Sequence, residues 1–96
     1  MKGYVIVDVT IHDPVRYEDY KKLTPASLVP YQGKFIVRGG PAEAVEGTWS
    51  PGRIVVLEFP SVELARAWWN SSEYAAAKAL RQATAMTDMV LVQGID

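Results

Sequence analysis

Four stretches of the chain alternate apolar and polar positions with a period of two, and the stretches between them repeat every three to four residues. Residues 3–11, GYVIVDVTI, are rich in β-branched side chains and read as the first strand. Residues 34–38 (KFIVR), 53–59 (RIVVLEF) and 88–93 (DMVLVQ) read as the other three. Asp13-Pro14 supplies a helix cap followed by proline at the first helical position, and Tyr17, Tyr20 and Leu23 continue at helical spacing. Thr24-Pro25 repeats that signature, which predicts a kink or restart there and an end before Gly33. Pro60-Ser61 caps a second helix over VELARAWW, and Asn70-Ser71-Ser72 interrupts it with a fresh cap for EYAAAKALRQATA. Ser50-Pro51-Gly52 has the composition of a turn.

The predicted order is βαββαβ. With right-handed crossovers it gives an α+β, ferredoxin-like fold: a four-stranded antiparallel sheet backed on one face by two helices. The 96 residues make one domain. A chain of that size buries only about 60–65% of the surface it exposes when unfolded, so a partner subunit would add to its stability.

Parity sorts each strand into two faces. One face takes Val5, Val7, Val9, Ile11, Phe35, Val37, Val55, Leu57, Phe59, Val90 and Val92; all are apolar, and they are expected beneath the helices. The other face mixes Tyr4, Asp8, Thr10, Lys34, Arg38, Glu58 and Gln93 with Ile6, Ile36, Ile54, Val56, Met89 and Leu91. Burying six such apolar side chains is worth roughly 10 kcal/mol gross, so a cover is expected. Another copy of the same sheet is the simplest cover, and the expected partner is the chain itself, as a symmetric homodimer.

Charges on a covered face must be paired, hydrated or bound to something. Asp8 and Glu58 are expected on adjacent, parallel strands, where two close carboxylates would push one pKa upward and make a general acid or base. Arg38, with Thr10, would then hold an anionic substrate or a developing enolate. His12, the only histidine, is expected at the mouth of that face as an auxiliary proton carrier. The alternative is an Arg–carboxylate network that only fixes the dimer's register. Whether Arg38 approaches Glu58 depends on whether Gly39-Gly40 makes a bulge, and parity leaves that open.

Composition narrows the chemistry. The formal net charge is −1 and the ten Lys and Arg are scattered, so the basic stripe that neutralises phosphates is missing and no nucleic-acid partner is expected. There is no cysteine, which removes thiolate catalysis, disulfides and cysteine-ligated metal. A single histidine argues against a divalent metal site, and no cofactor is expected, although one histidine suffices for axial haem ligation. No stretch approaches the roughly 20 apolar residues of a membrane span, and the N-terminal run lacks a signal-peptide pattern, so a cytoplasmic location is expected. Trp68 and Trp69 are consecutive and about 100° apart on a helix, so they cannot both point into one core.

The combination of GYVIVDVTIHDPVRYEDY, GKFIVRGG, EGTWSPGRIVVLEFPS and WWNSSEYAAAKALR resembles a family catalogued as domain of unknown function 1330, nearly end to end. The resemblance implies a ferredoxin-like subunit that pairs sheet to sheet into a dimeric α/β barrel. Relatives in that superfamily include metal-free monooxygenases, decarboxylases, lactone isomerases and haem-handling enzymes. The family itself has no established reaction, so no catalytic residues carry over. The expected function is a metal-free enzyme acting on a small anionic or aromatic molecule in a cavity between the sheets. The alternative is a non-catalytic small-molecule binding or stress-related module.

Overall fold

The caps predicted at Asp13, Ser61 and Ser71 are made in the structure, a computed structural model that describes residues 1–95. Strand β1 (Gly3–Ile11) leads into helix α1 (Pro14–Leu28), where the Asp13 carboxylate accepts from the Arg16 N–H at 3.2 Å. Ser61 Oγ accepts from the Leu64 N–H at 3.1 Å to start α2 (Val62–Trp69), and Ser71 Oγ accepts from the Tyr74 N–H at 3.1 Å to start α3 (Ser72–Thr84). These hydroxyls satisfy N–H groups that the first helical turn leaves without partners. Helix α1 does not restart at Thr24-Pro25. It runs through Pro25 to Leu28 and ends in a 3-10 turn over Val29–Tyr31.

The sheet adds β2 (Lys34–Arg38), β3 (Arg53–Phe59) and β4 (Ala85–Gln93), in the order β2-β3-β1-β4 with every neighbour antiparallel. Three expectations about its faces are corrected. First, β4 begins at Ala85, directly after α3, and its faces are the reverse of those predicted. Met89 and Leu91 lie opposite Val7 and Val5 under the helices, while Val90 and Val92 are 57% and 42% exposed on the other face. Both parities of this strand are apolar, so the strand alone does not choose. The junction chooses: the Thr84 carbonyl accepts from the His12 and Asp13 N–H groups at 2.9 and 3.1 Å, which sets Ala85 opposite Ile11.

Second, β2 carries a bulge between Phe35 and Val37. Ile36 is the extra residue, so Val37 opposes Val56 on the open face and Arg38 opposes Val55 on the helix side. Parity counted straight through the strand assigns both to the wrong face. Third, β1 and β3 are antiparallel, because β3 reverses the direction of β2 and lies between β2 and β1. Asp8 pairs with Ile54 while Glu58 pairs with Tyr4, four positions away.

Between the sheet and the helices, Phe59, Trp68 and Tyr74 are fully buried, with the Trp68 ring centroid 4.0 Å from that of Tyr74 and 5.5 Å from that of Phe59. Trp69 turns outward as the helical geometry requires, and Lys78 Nζ lies 3.9 Å over its ring. Helix α2 approaches β1 so closely that a Cβ on Gly3 would lie 2.7 Å from Val62 Cα. The domain measures 32 × 32 × 17 Å, thin in one direction because one face of the sheet carries no helices. Ile6, Ile36, Val37, Val90 and Val92 are exposed there.

Candidate functional site

A narrow cleft lies on the helix side of the sheet, beneath α1 and beside the edge strand β2. Val7, Val9, Val55 and Leu57 floor it, Tyr17, Tyr20 and Thr24 wall it from α1, and Arg53, Arg38 and Lys21 supply its charges. Its free interior is about 20 Å³, room for one water-sized group.

Arg53 reaches the cleft because it continues the inward parity of Val55, Leu57 and Phe59 at the start of β3. Its guanidinium packs on Gly39, which has φ +73°, and a Cβ there would collide with Arg53 Nη1. The first glycine of the Gly39-Gly40 pair therefore serves two ends, a left-handed backbone and space for a cation. Arg53 Nε is buried without a hydrogen-bond partner.

Arg38 reaches the cleft because of the bulge. Its guanidinium carbon lies 4.1 Å over the Phe35 ring, and Nη2 donates to the Lys21 carbonyl at 3.0 Å. That carbonyl would accept from the N–H of residue 25 in an uninterrupted helix. Residue 25 is proline, so the carbonyl is left free for Arg38.

Tyrosines form the inner wall. Tyr20 and Tyr74 share a hydrogen bond of 2.9 Å between their hydroxyls, and Arg81 Nε donates to the Tyr74 hydroxyl at 3.2 Å. Burial raises the Tyr20 phenol above its ordinary range, with Tyr74 adding to the shift. Burial also raises the Tyr17 phenol, helped by Tyr20 and opposed by the Arg53 and Arg81 guanidinium groups. No carboxylate among the described residues lines the cleft. Among the described residues the ion pairs are Lys2–Glu58, Lys34–Glu58, Arg16–Asp13 and Lys21–Glu18, and none includes Arg38, Arg53 or Arg81. Such a cleft is suited to hold a negatively charged oxygen.

The five residues singled out from the sequence are not brought together. Asp8 is on the open face, where its two oxygens accept from Trp49 Nε1 at 2.8 Å and the Gly52 N–H at 2.9 Å, tying the β2–β3 connection to β1. Glu58 sits roughly 13 Å farther along the sheet, four positions at about 3.3 Å each. It pairs with Lys2 Nζ at 3.3 Å and Lys34 Nζ at 3.4 Å. The two carboxylates therefore form no acid–base pair. Thr10 and His12 are exposed at the Asp8 end, and Arg38 alone lines the cleft. Among the described residues no three His, Asp or Glu side chains converge to hold a metal.

Arg53, Tyr17 and Tyr20 line the cleft but are not among the site residues expected from the sequence. The signal for Arg53 is a charge at an inward strand position. Arg81, on the buried stripe of Tyr74, Ala77 and Thr84, stands behind the cleft and touches it only through the Tyr74–Tyr20 hydroxyl pair.

The family model for a domain of unknown function, DUF1330, matches residues 2–95. The chain belongs to the DUF1330 family. Among curated proteins none matches it at a significant level. Among solved structures, the DUF1330 chain is similar to a protein of unknown function from Rhodopseudomonas palustris, at 15% identity and a TM-score of 0.80, covering 99% of this chain and 83% of that one. It is also similar to SnoaB, a cofactor-independent oxygenase from Streptomyces nogalater, at 12% identity and a TM-score of 0.68, covering 99% and 94%. A third, Rv0793 from Mycobacterium tuberculosis, has 14% identity and a TM-score of 0.59, covering 100% and 97%. These likenesses show the fold of this DUF1330 protein as ferredoxin-like, α+β. No helix of it, among the described residues, is long and apolar enough to cross a membrane.

Proposed function

We propose that this DUF1330 protein is a homodimer whose subunits each bind a small anionic molecule, with an aromatic or otherwise flat body, in the cleft beneath α1. The observation that carries the reading is the composition of that cleft among the described residues: Arg38 and Arg53 beside tyrosines, no carboxylate, and a buried Arg53 Nε with no hydrogen-bond partner. A buried donor of this kind is costly until an acceptor reaches it, and an anionic oxygen is the acceptor that gains most. The cleft lies between sheet and helices, so the expected cavity between two sheets is not needed for it.

Binding is the reading favoured over catalysis. The same cations could stabilise an enolate or phenolate, and SnoaB, of the same fold, is a cofactor-independent oxygenase. Yet among the described residues no imidazole or carboxylate lines the cleft, so a reaction would take its proton acceptor from Lys21 or from the ligand itself.

Benzoate tests the reading, with neutral benzamide as control. Titration calorimetry is expected to show benzoate binding, little or no benzamide binding, and a loss of about 10- to 100-fold in Arg53→Met, the worth of a hydrogen bond to a charged group. Equal benzoate affinity in Arg53→Met and the parent protein, with circular dichroism unchanged, would refute it.

A further inference from the structure

We infer that Arg38 is a movable latch across the mouth of the cleft, that Pro25 creates its catch, and that a ligand carboxylate opens it by replacing the Lys21 carbonyl as the partner of the guanidinium. This rests on the anion-binding reading and adds to it an entry step and a preferred class of anion.

The catch comes from covalent structure. Helix α1 continues through Pro25 to Leu28, so the Lys21 carbonyl stays on the helix wall without the N–H of residue 25. The latch comes from the bulge in β2, which turns Arg38 to the helix side opposite Val55. From the edge strand the side chain spans to α1, resting on the Phe35 ring at 4.1 Å and donating to the carbonyl at 3.0 Å. In this closed position the interior of about 20 Å³ admits only a water-sized group, so a larger ligand must displace part of the lining, and the latch is the part that moves.

Everything that holds Arg38 shut is exchangeable. Among the described residues its partners are one neutral carbonyl and one ring face, and it belongs to none of the ion pairs. A carboxylate offers two coplanar oxygens to the guanidinium fork, a charge-assisted and bidentate arrangement that a backbone carbonyl cannot match. The ligand group is therefore a planar carboxylate, and the free energy of the exchange favours the open latch only when the ligand is present.

Two variants test the inference in benzoate titrations followed by NMR of the arginine Nε–Hε signals. Pro25→Ala restores the N–H that competes for the Lys21 carbonyl, so the free protein holds Arg38 less firmly. It is expected to bind benzoate about fivefold more tightly, the worth of one hydrogen bond, and to associate faster. Arg38→Lys keeps the charge but loses the fork, and is expected to weaken benzoate about tenfold and to cancel the gain in the double variant. Unchanged or weaker binding in Pro25→Ala overturns the latch, as does a full Pro25→Ala gain in the Arg38→Lys background. If Arg53→Met still weakens benzoate in either case, the binding site stands without the latch. If benzoate leaves the Arg53 signal of the parent protein unmoved, the binding reading falls and the latch with it.

Discussion

Ser27 is the smallest side chain with the largest local burden in this core. Its hydroxyl donates to the Thr24 carbonyl at 2.6 Å and accepts from Trp68 Nε1 at 3.0 Å, so it joins α1 to the fully buried indole of α2. Removing it leaves the indole N–H buried without a partner, which costs about 1–3 kcal/mol. Ser27→Ala is therefore expected to lower the unfolding free energy by that amount, read as a lower urea midpoint at an unchanged m-value. A midpoint within error of the parent protein would mean that Trp68 finds another acceptor. At this scale, the sequence shows which residues are apolar and which turn outward, as with Trp68 and Trp69. It does not show that Ser27 and Trp68, 41 positions apart, share a proton.

Helices α1 and α3 meet through phenols rather than through aliphatic side chains alone. Burial holds the Tyr20 and Tyr17 phenols neutral beyond their ordinary value of 10.0. The unfolded chain ionises its tyrosines near that value, while the folded chain still keeps these protons. Their contribution to stability is therefore intact below pH 10 and is lost as the pH climbs above it, by at most about 1.4 kcal/mol per pH unit for each phenol. Thermal melts between pH 8 and 11 are expected to show this alkaline fall, and Tyr20→Phe is expected to make it shallower. A melting temperature flat to pH 11 would contradict the burial of the phenols. Helix boundaries and caps were legible here because Asp13, Ser61 and Ser71 act on N–H groups three residues away. The passage of α1 through Pro25 was not, since what uses the freed carbonyl is Arg38, on a strand thirteen positions later.

For the whole molecule, the bare face of a sheet in a subunit only 17 Å thin is the dominant feature. Exchanging Met89 and Leu91 for Val90 and Val92 alters the membership of that face but not its apolar character. The proposed homodimer covers it. Ile6 lies on β1, opposite Val56 and Val90, so a charge there would be trapped in the centre of the interface. Ile6→Glu is expected to raise the dimer dissociation constant at least 100-fold, in line with about 3 kcal/mol or more for an unpaired buried charge. Sedimentation velocity would show it, with circular dichroism reporting the retained fold. A parent protein that sediments as a monomer at micromolar concentration would remove the dimer from the reading.

The sequence by itself determined the order of elements, the caps, the ferredoxin-like topology and the existence of a second, apolar face. All of these follow from local periodicity and from the short reach of capping side chains. Tertiary structure decided where the charges go. A single extra residue at Ile36 sent Arg38 to the helix side, and the Thr84 junction chose which parity of β4 faces inward. The antiparallel run of β1 and β3 kept Asp8 from Glu58. Each of these depends on the relative register of two segments distant in the chain. A strand read alone contains its own alternation but not its phase against a neighbour.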